Sequence, residues 1–105
     1  MTGRWEVVVT ETCYLDLREA ARYVRDQPRS PDAASGLVDA FEEQVASLET
    51  FPEGCPPVAD HELVRRGYRW VPVGNFMLFY TTDAQSGTVY GERLLYGARD
   101  WQSLL

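Results

Sequence analysis

The sequence predicts an α+β domain: an N-terminal strand, a helical hairpin, then a three-stranded antiparallel meander, with the helices packed on one face of a small sheet. Three observations predict it. A β-branched run, WEVVVT, opens the chain. Two consecutive segments, 13–24 and 34–48, repeat apolar residues at helical spacing. From residue 68 onward, apolar and aromatic runs are punctuated by glycine-containing turns. At 105 residues the whole chain, 1–105, is expected to form one domain around one core.

Trp5 to Thr10 is the first strand, and Thr10 or Thr12 then caps the first helix by accepting a backbone N–H bond. Cys13, Leu17, Ala20, Ala21 and Val24 form its apolar stripe, while Arg18, Arg22, Arg25 and Asp26 lie off it. Pro28 is expected to stop the helix, because proline lacks the donor and clashes with the preceding turn. Ser30 and Pro31 suit the cap and first turn of a second helix. There Ala34, Leu37, Val38, Phe41, Val45 and Leu48 follow the 3.6-residue period. Asp39, Glu42, Glu43 and Glu49 make a solvated acidic face, and FPEG at 51–54 ends the helix.

A proline-rich connector at 54–66 leads to Tyr68–Val73, which turns through Gly74-Asn75 into Phe76–Thr82. After the DAQSG turn, Thr88–Tyr96 is the last strand. Strict alternation puts Val89, Gly91, Arg93 and Leu95 on one face and Thr88, Tyr90, Glu92, Leu94 and Tyr96 on the other. Trp70, Phe79 and Trp101 are expected in the core, and Tyr68 and Tyr80 are expected to pack with their hydroxyls at its rim.

The net charge of −6 is unevenly spread. Residues 1–62 carry 13 acids against 5 arginines, whereas residues 63–105 carry 3 acids against 5 arginines. All ten basic residues are arginine, as a GC-rich coding bias would produce. Cys13 and Cys55 have neither metal-site spacing nor the density of a disulfide scaffold, and with a single histidine no metal site is expected. No cofactor motif stands out. MTGRWEVVVTET has no basic segment followed by an apolar one, and no apolar run approaches the roughly 20 residues needed to span a bilayer. A cytoplasmic protein with no membrane partner is the simplest reading.

Taken end to end, VVVTET, LREAARYV, LETFPE, RGYRWVPVGNFMLFY and VYGERLLYGARDW resemble the RelE/ParE superfamily of bacterial toxins from type II toxin–antitoxin, or plasmid stabilisation, modules. The resemblance covers nearly the whole chain. It implies a growth-inhibiting toxin neutralised by a cognate antitoxin. RelE-like members cut messenger RNA in the ribosome, whereas ParE-like members poison DNA gyrase.

The resemblance also implies site residues. Arg69 falls where RelE-like toxins carry a basic residue on the first hairpin strand, and Arg99 matches the arginine after the last strand; the two are candidate phosphate contacts. Three other expected groups are replaced here, by Val71, Met77 and Leu105. RNA cleavage needs a base, positive charge around the phosphorane and an acid. Glu92 or Tyr96 would serve from the last strand if their face is the open one, and His61 titrates near pH ~6.5 but sits in a connector, where solvation is the commoner fate. Arg93 reads equally as a functional cation and as a cap that pairs with an acid of the helical hairpin. Arg65-Arg66 reads as a solvated basic step. The depleted site favours a ParE-like toxin with a protein target such as DNA gyrase; the alternative is a ribosome-dependent mRNA endoribonuclease with an altered site.

Overall fold

A computed structural model describes residues 4–26, 32–50, 52, 65–97 and 104–105. The element order is β1 (Glu6–Val9), α1 (Glu11–Arg25), α2 (Ala33–Leu48), β2 (Arg69–Val73), β3 (Phe76–Asp83) and β4 (Thr88–Tyr96). The four strands form one sheet in the order β1-β4-β3-β2. β1 runs parallel to β4, and the other two pairings are antiparallel.

Local chemistry explains the boundaries. Of the two candidate caps, Thr10 is the one used: it is extended, and its hydroxyl accepts from the Cys13 N–H. α1 ends at Arg25 with Asp26 as its C-cap, ahead of Pro28, which lies outside the described residues. Ser30 and Pro31 also lie outside them. α2 begins at Ala33, with Asp32 before it making no side-chain cap bond. Gly74 turns the β2–β3 hairpin at φ 59, while no described non-glycine residue has positive φ. Glycine at the first central position is what a type II′ hairpin turn requires.

Both helices lie on one face of the sheet. Cys13 and Ala20 of α1 and Leu37, Phe41 and Leu48 of α2 close over Val71, Val73, Leu78, Tyr80, Val89 and Leu94. Tyr80 is fully buried, and its hydroxyl donates to the Pro52 carbonyl, so the core hides no unsatisfied phenol. A smaller cluster lies on the opposite face. Phe79 and Leu95 are buried there beneath Tyr68, Trp70, Met77, Leu104 and Leu105. Trp70 is half-buried rather than central, and Trp101 lies outside the described residues.

The strict alternation expected of β4 does not hold. Phe79 pairs with Arg93 and the next residue, Tyr80, with Gly91, so Glu92 is left without a partner on β3. This is a β-bulge, and it exchanges the faces of everything after it. Val89 and Gly91 lie on the helix face, but so do Leu94 and Tyr96. Arg93 and Leu95 go to the other side, with Phe79 and Met77.

Candidate functional site

The same bulge decides which candidate residues meet. Trp70, Phe79 and Arg93 form one row across the sheet, on the face away from the helices. Arg69, Tyr80 and Gly91 form the next, on the helix face. Arg69 and Arg93 are therefore on opposite sides of the sheet. Arg69 is half-buried and engaged in contacts of its own. Arg99 and His61 lie outside the described residues.

Arg93 is a structural clamp. Its Nε donates to Asp16 Oδ2 at 2.7 Å and its Nη2 to Asp16 Oδ1 at 3.1 Å, the bidentate fork that arginine favours with a carboxylate. Nη1 donates to the Leu104 carbonyl at 3.0 Å. The cap reading holds: the acid of the helical hairpin is Asp16. Asp16 has a second task. β1 ends at Val9, so β4 beyond Gly91 has an open edge there, and Asp16 Oδ2 accepts the Leu94 N–H at 3.0 Å. Thr10 donates its hydroxyl to the Glu92 carbonyl at 3.2 Å, closing the same edge two residues earlier.

Glu92 and Tyr96 are parted by the bulge. Glu92 is half-buried and accepts from the Thr81 hydroxyl at 2.9 Å. Tyr96 stands on the helix side, packed edge-on against Phe76 with ring centroids 5.6 Å apart. It borders a cleft of about 380 Å³ lined also by Ala20, Phe76, Leu94 and Leu95, with Asp16, Glu19 and Tyr23 from α1. Tyr96 pairs with Phe76 and Arg69 with Tyr80, four positions further along β3.

The electrostatics agree with a structural role. The Asp16 hydrogen bond holds the Arg93 pKa above its ordinary value, against a smaller opposing effect of burial. Beneath the clamp, burial pushes the Cys13 thiol from its ordinary 9.0 up to about 12, and the nearby Asp16 carboxylate adds to the rise. Cys13 is a free, fully buried thiol and takes no part in surface chemistry. Among the described residues no cluster of histidine, cysteine and acids is placed to hold a metal ion.

Two features are not evident from the sequence pattern alone. Asp16 sits one helical turn from both Cys13 and Ala20 and is half-buried, whereas Glu19 beside it is exposed. Arg66 is not simply solvated: its Nη2 donates to the Leu105 carbonyl at 3.1 Å, and its guanidinium lies 5.3 Å from the Tyr68 ring centre. With Arg93 on Leu104, two arginines hold the last two residues over Phe79 and Leu95.

Comparison with known proteins accords with this architecture. A chain of the chromosomal ParDE toxin–antitoxin system of P. aeruginosa has a similar fold, with a TM-score of 0.70 and 14% identity over 90% of this chain and 98% of that one. A chain of the RelBE2 toxin–antitoxin complex of Mycobacterium tuberculosis gives a TM-score of 0.63 and 23% identity over 94% of this chain and 98% of that one. No curated protein sequence matches. The family model of the ParE toxin of the type II toxin–antitoxin system parDE matches residues 7–101, and the chain belongs to that family.

Proposed function

We propose that this chain is a growth-inhibiting toxin that acts by binding a protein target, DNA gyrase being the expected one, and that a cognate antitoxin neutralises it. The observation that carries the reading is the family match over residues 7–101, joined to the state of the sheet. Arg93, a cation on the face away from the helices, spends its donors on Asp16 and Leu104. The apolar part of that face is covered by Leu104 and Leu105. Arg69 belongs to the other face. An RNA phosphorane needs converging positive charge, and loss of one positioned donor typically costs roughly 100- to 1000-fold in rate. A surface that recognises a protein has no such requirement.

The test is induction of the chain without its antitoxin. Growth arrest with double-strand DNA breaks, and without new RNA 5′ ends inside translated codons, is the expected result. Codon-phased RNA ends appearing within minutes, lost in an Arg99→Ala variant that still folds, would replace this reading with a ribosome-dependent nuclease.

A further inference from the structure

Past the Asp16 clamp, β4 runs on for one more open step. Gly97 sends its N–H to the Asn75 carbonyl on the β3 side, and Leu94 sends its own to Asp16 on the other side. Alternation along the strand therefore turns the Tyr96 N–H and the carbonyls of Leu94 and Tyr96 towards α1. Among the described residues these three groups have no partner there.

The cleft of about 380 Å³ lies at this step. Asp16, Glu19 and Tyr23 reach it together because residues three and four apart share one face of a helix. Of the described residues that line it, Asp16 and Glu19 alone are charged, and Arg93 already neutralises Asp16. Glu19, exposed and one turn further along α1, therefore sets the sign of the cleft. Much of the remaining wall is aromatic. Tyr23 is 62% exposed and Tyr96 44%, and the Tyr96 ring is held edge-on against Phe76 with an interplanar angle of 73°.

We infer that this cleft receives one arginine side chain of a partner protein. The guanidinium donates to the Glu19 carboxylate and to the outward carbonyls of β4, while its plane lies against the Tyr96 ring. The other chemistries fit less well. An apolar side chain would bury Glu19 and the outward backbone groups without partners, and an anion would meet the carboxylate. A lysine ammonium matches the charge but offers neither the planar fork nor the stacking surface. The walls are set before the ligand arrives, because Asp16 ties α1 to both Arg93 and the Leu94 N–H. That the arginine belongs to the toxin's target rests on the function proposed above; the preference of the cleft for a guanidinium does not.

Amide NMR of the isotope-labelled whole chain tests it, titrated with N-acetyl-arginine methylamide and, as control, N-acetyl-lysine methylamide. The Glu19 and Tyr96 amides should shift saturably, with the arginine probe binding about threefold tighter than the lysine one. Glu19→Gln and Tyr96→Leu, both at exposed positions, should each weaken the arginine probe by about threefold while the melting temperature holds. Equal binding of the two probes, no saturable shift at Tyr96, or indifference to Glu19→Gln would overturn the site. Shifts at these amides that grow with chain concentration alone would overturn it in favour of an arginine from a second copy. In cells, Glu19→Arg reverses the charge of the cleft and should abolish growth arrest. If the parent arrests growth with DNA breaks and Glu19→Arg does so equally, the target does not use the cleft, and the toxin reading stands. If the parent causes no arrest, the toxin reading falls and the probe alone decides the cleft.

Discussion

The two faces of the sheet bury comparable side chains by different means. On the helix face, Leu78 is 1% exposed among residues drawn from both helices and three strands. On the other face, Leu95 is 2% exposed, but its cover is a few half-buried aromatics and the chain's last two leucines, held by Arg66 and Arg93. One face is sealed by regular elements that have nowhere else to go. The other is covered, among the described residues, by Tyr68, Trp70, Met77, Leu104 and Leu105, the last two held by arginine hydrogen bonds. Equal burial therefore does not mean equal contribution to stability, because the cost of a cavity depends on how far its walls can relax.

The same substitution on both faces separates them most. Leu78→Ala should cost about 4 kcal/mol, near the upper part of the range for buried leucines, because helices and strands cannot collapse into the gap. Leu95→Ala should cost about 2 kcal/mol, since the terminal leucines can settle inward. Denaturant titrations that keep the same slope would measure both. Equal losses would mean that the tail is as rigid a wall as the helices.

The clamp between the faces comes next. Asp16 and Arg93 are only 14% and 25% exposed at their side chains, so removing one partner strands the other in a poorly solvated place. Asp16→Ala should cost about 3 kcal/mol, and more than Arg93→Met, because it abandons both a guanidinium and the Leu94 N–H. The double variant should be less destabilised than the two losses added together, as expected for groups in one network. Simple additivity would show that Asp16 acts on the strand edge alone.

The fold was legible in the sequence where apolar period and turn chemistry spoke together. The stripe through Cys13, Leu17 and Ala20, and the glycine at 74, place their elements without ambiguity. The site was not legible, for a physical reason. Val89, Gly91, Arg93 and Leu95 alternate without a break, and nothing at Glu92 announces that it will be the extra residue. A single bulge then moves Arg93 and Leu95 away from the side of Val89 and brings Leu94 and Tyr96 to it. Likewise, Arg93 finds its acid 77 positions earlier, a pairing set by where α1 crosses the strand edge. Local pattern reports which residues are buried; it does not report which strand edge they cross.

Read over the first pH unit above 9.0, the smallest expected effect tests how dry the helix face is at its deepest thiol. Below pH 9.0 Cys13 is protonated whether the chain is folded or not, so it adds nothing to the pH dependence of stability. Above that, the unfolded chain releases the proton while the folded chain, with its thiol raised to about 12, keeps it. The folded state then loses ground as pH rises, by at most about 1.4 kcal/mol per pH unit. The loss should run between pH 9.0 and about 12. Cys13→Ala should remove that slope, while contributions from Cys55 and the tyrosines cancel between the two proteins. Parallel stability curves for the two would mean that water reaches the thiol beneath Asp16, and that the helix face opens as readily as the face covered by Leu104 and Leu105.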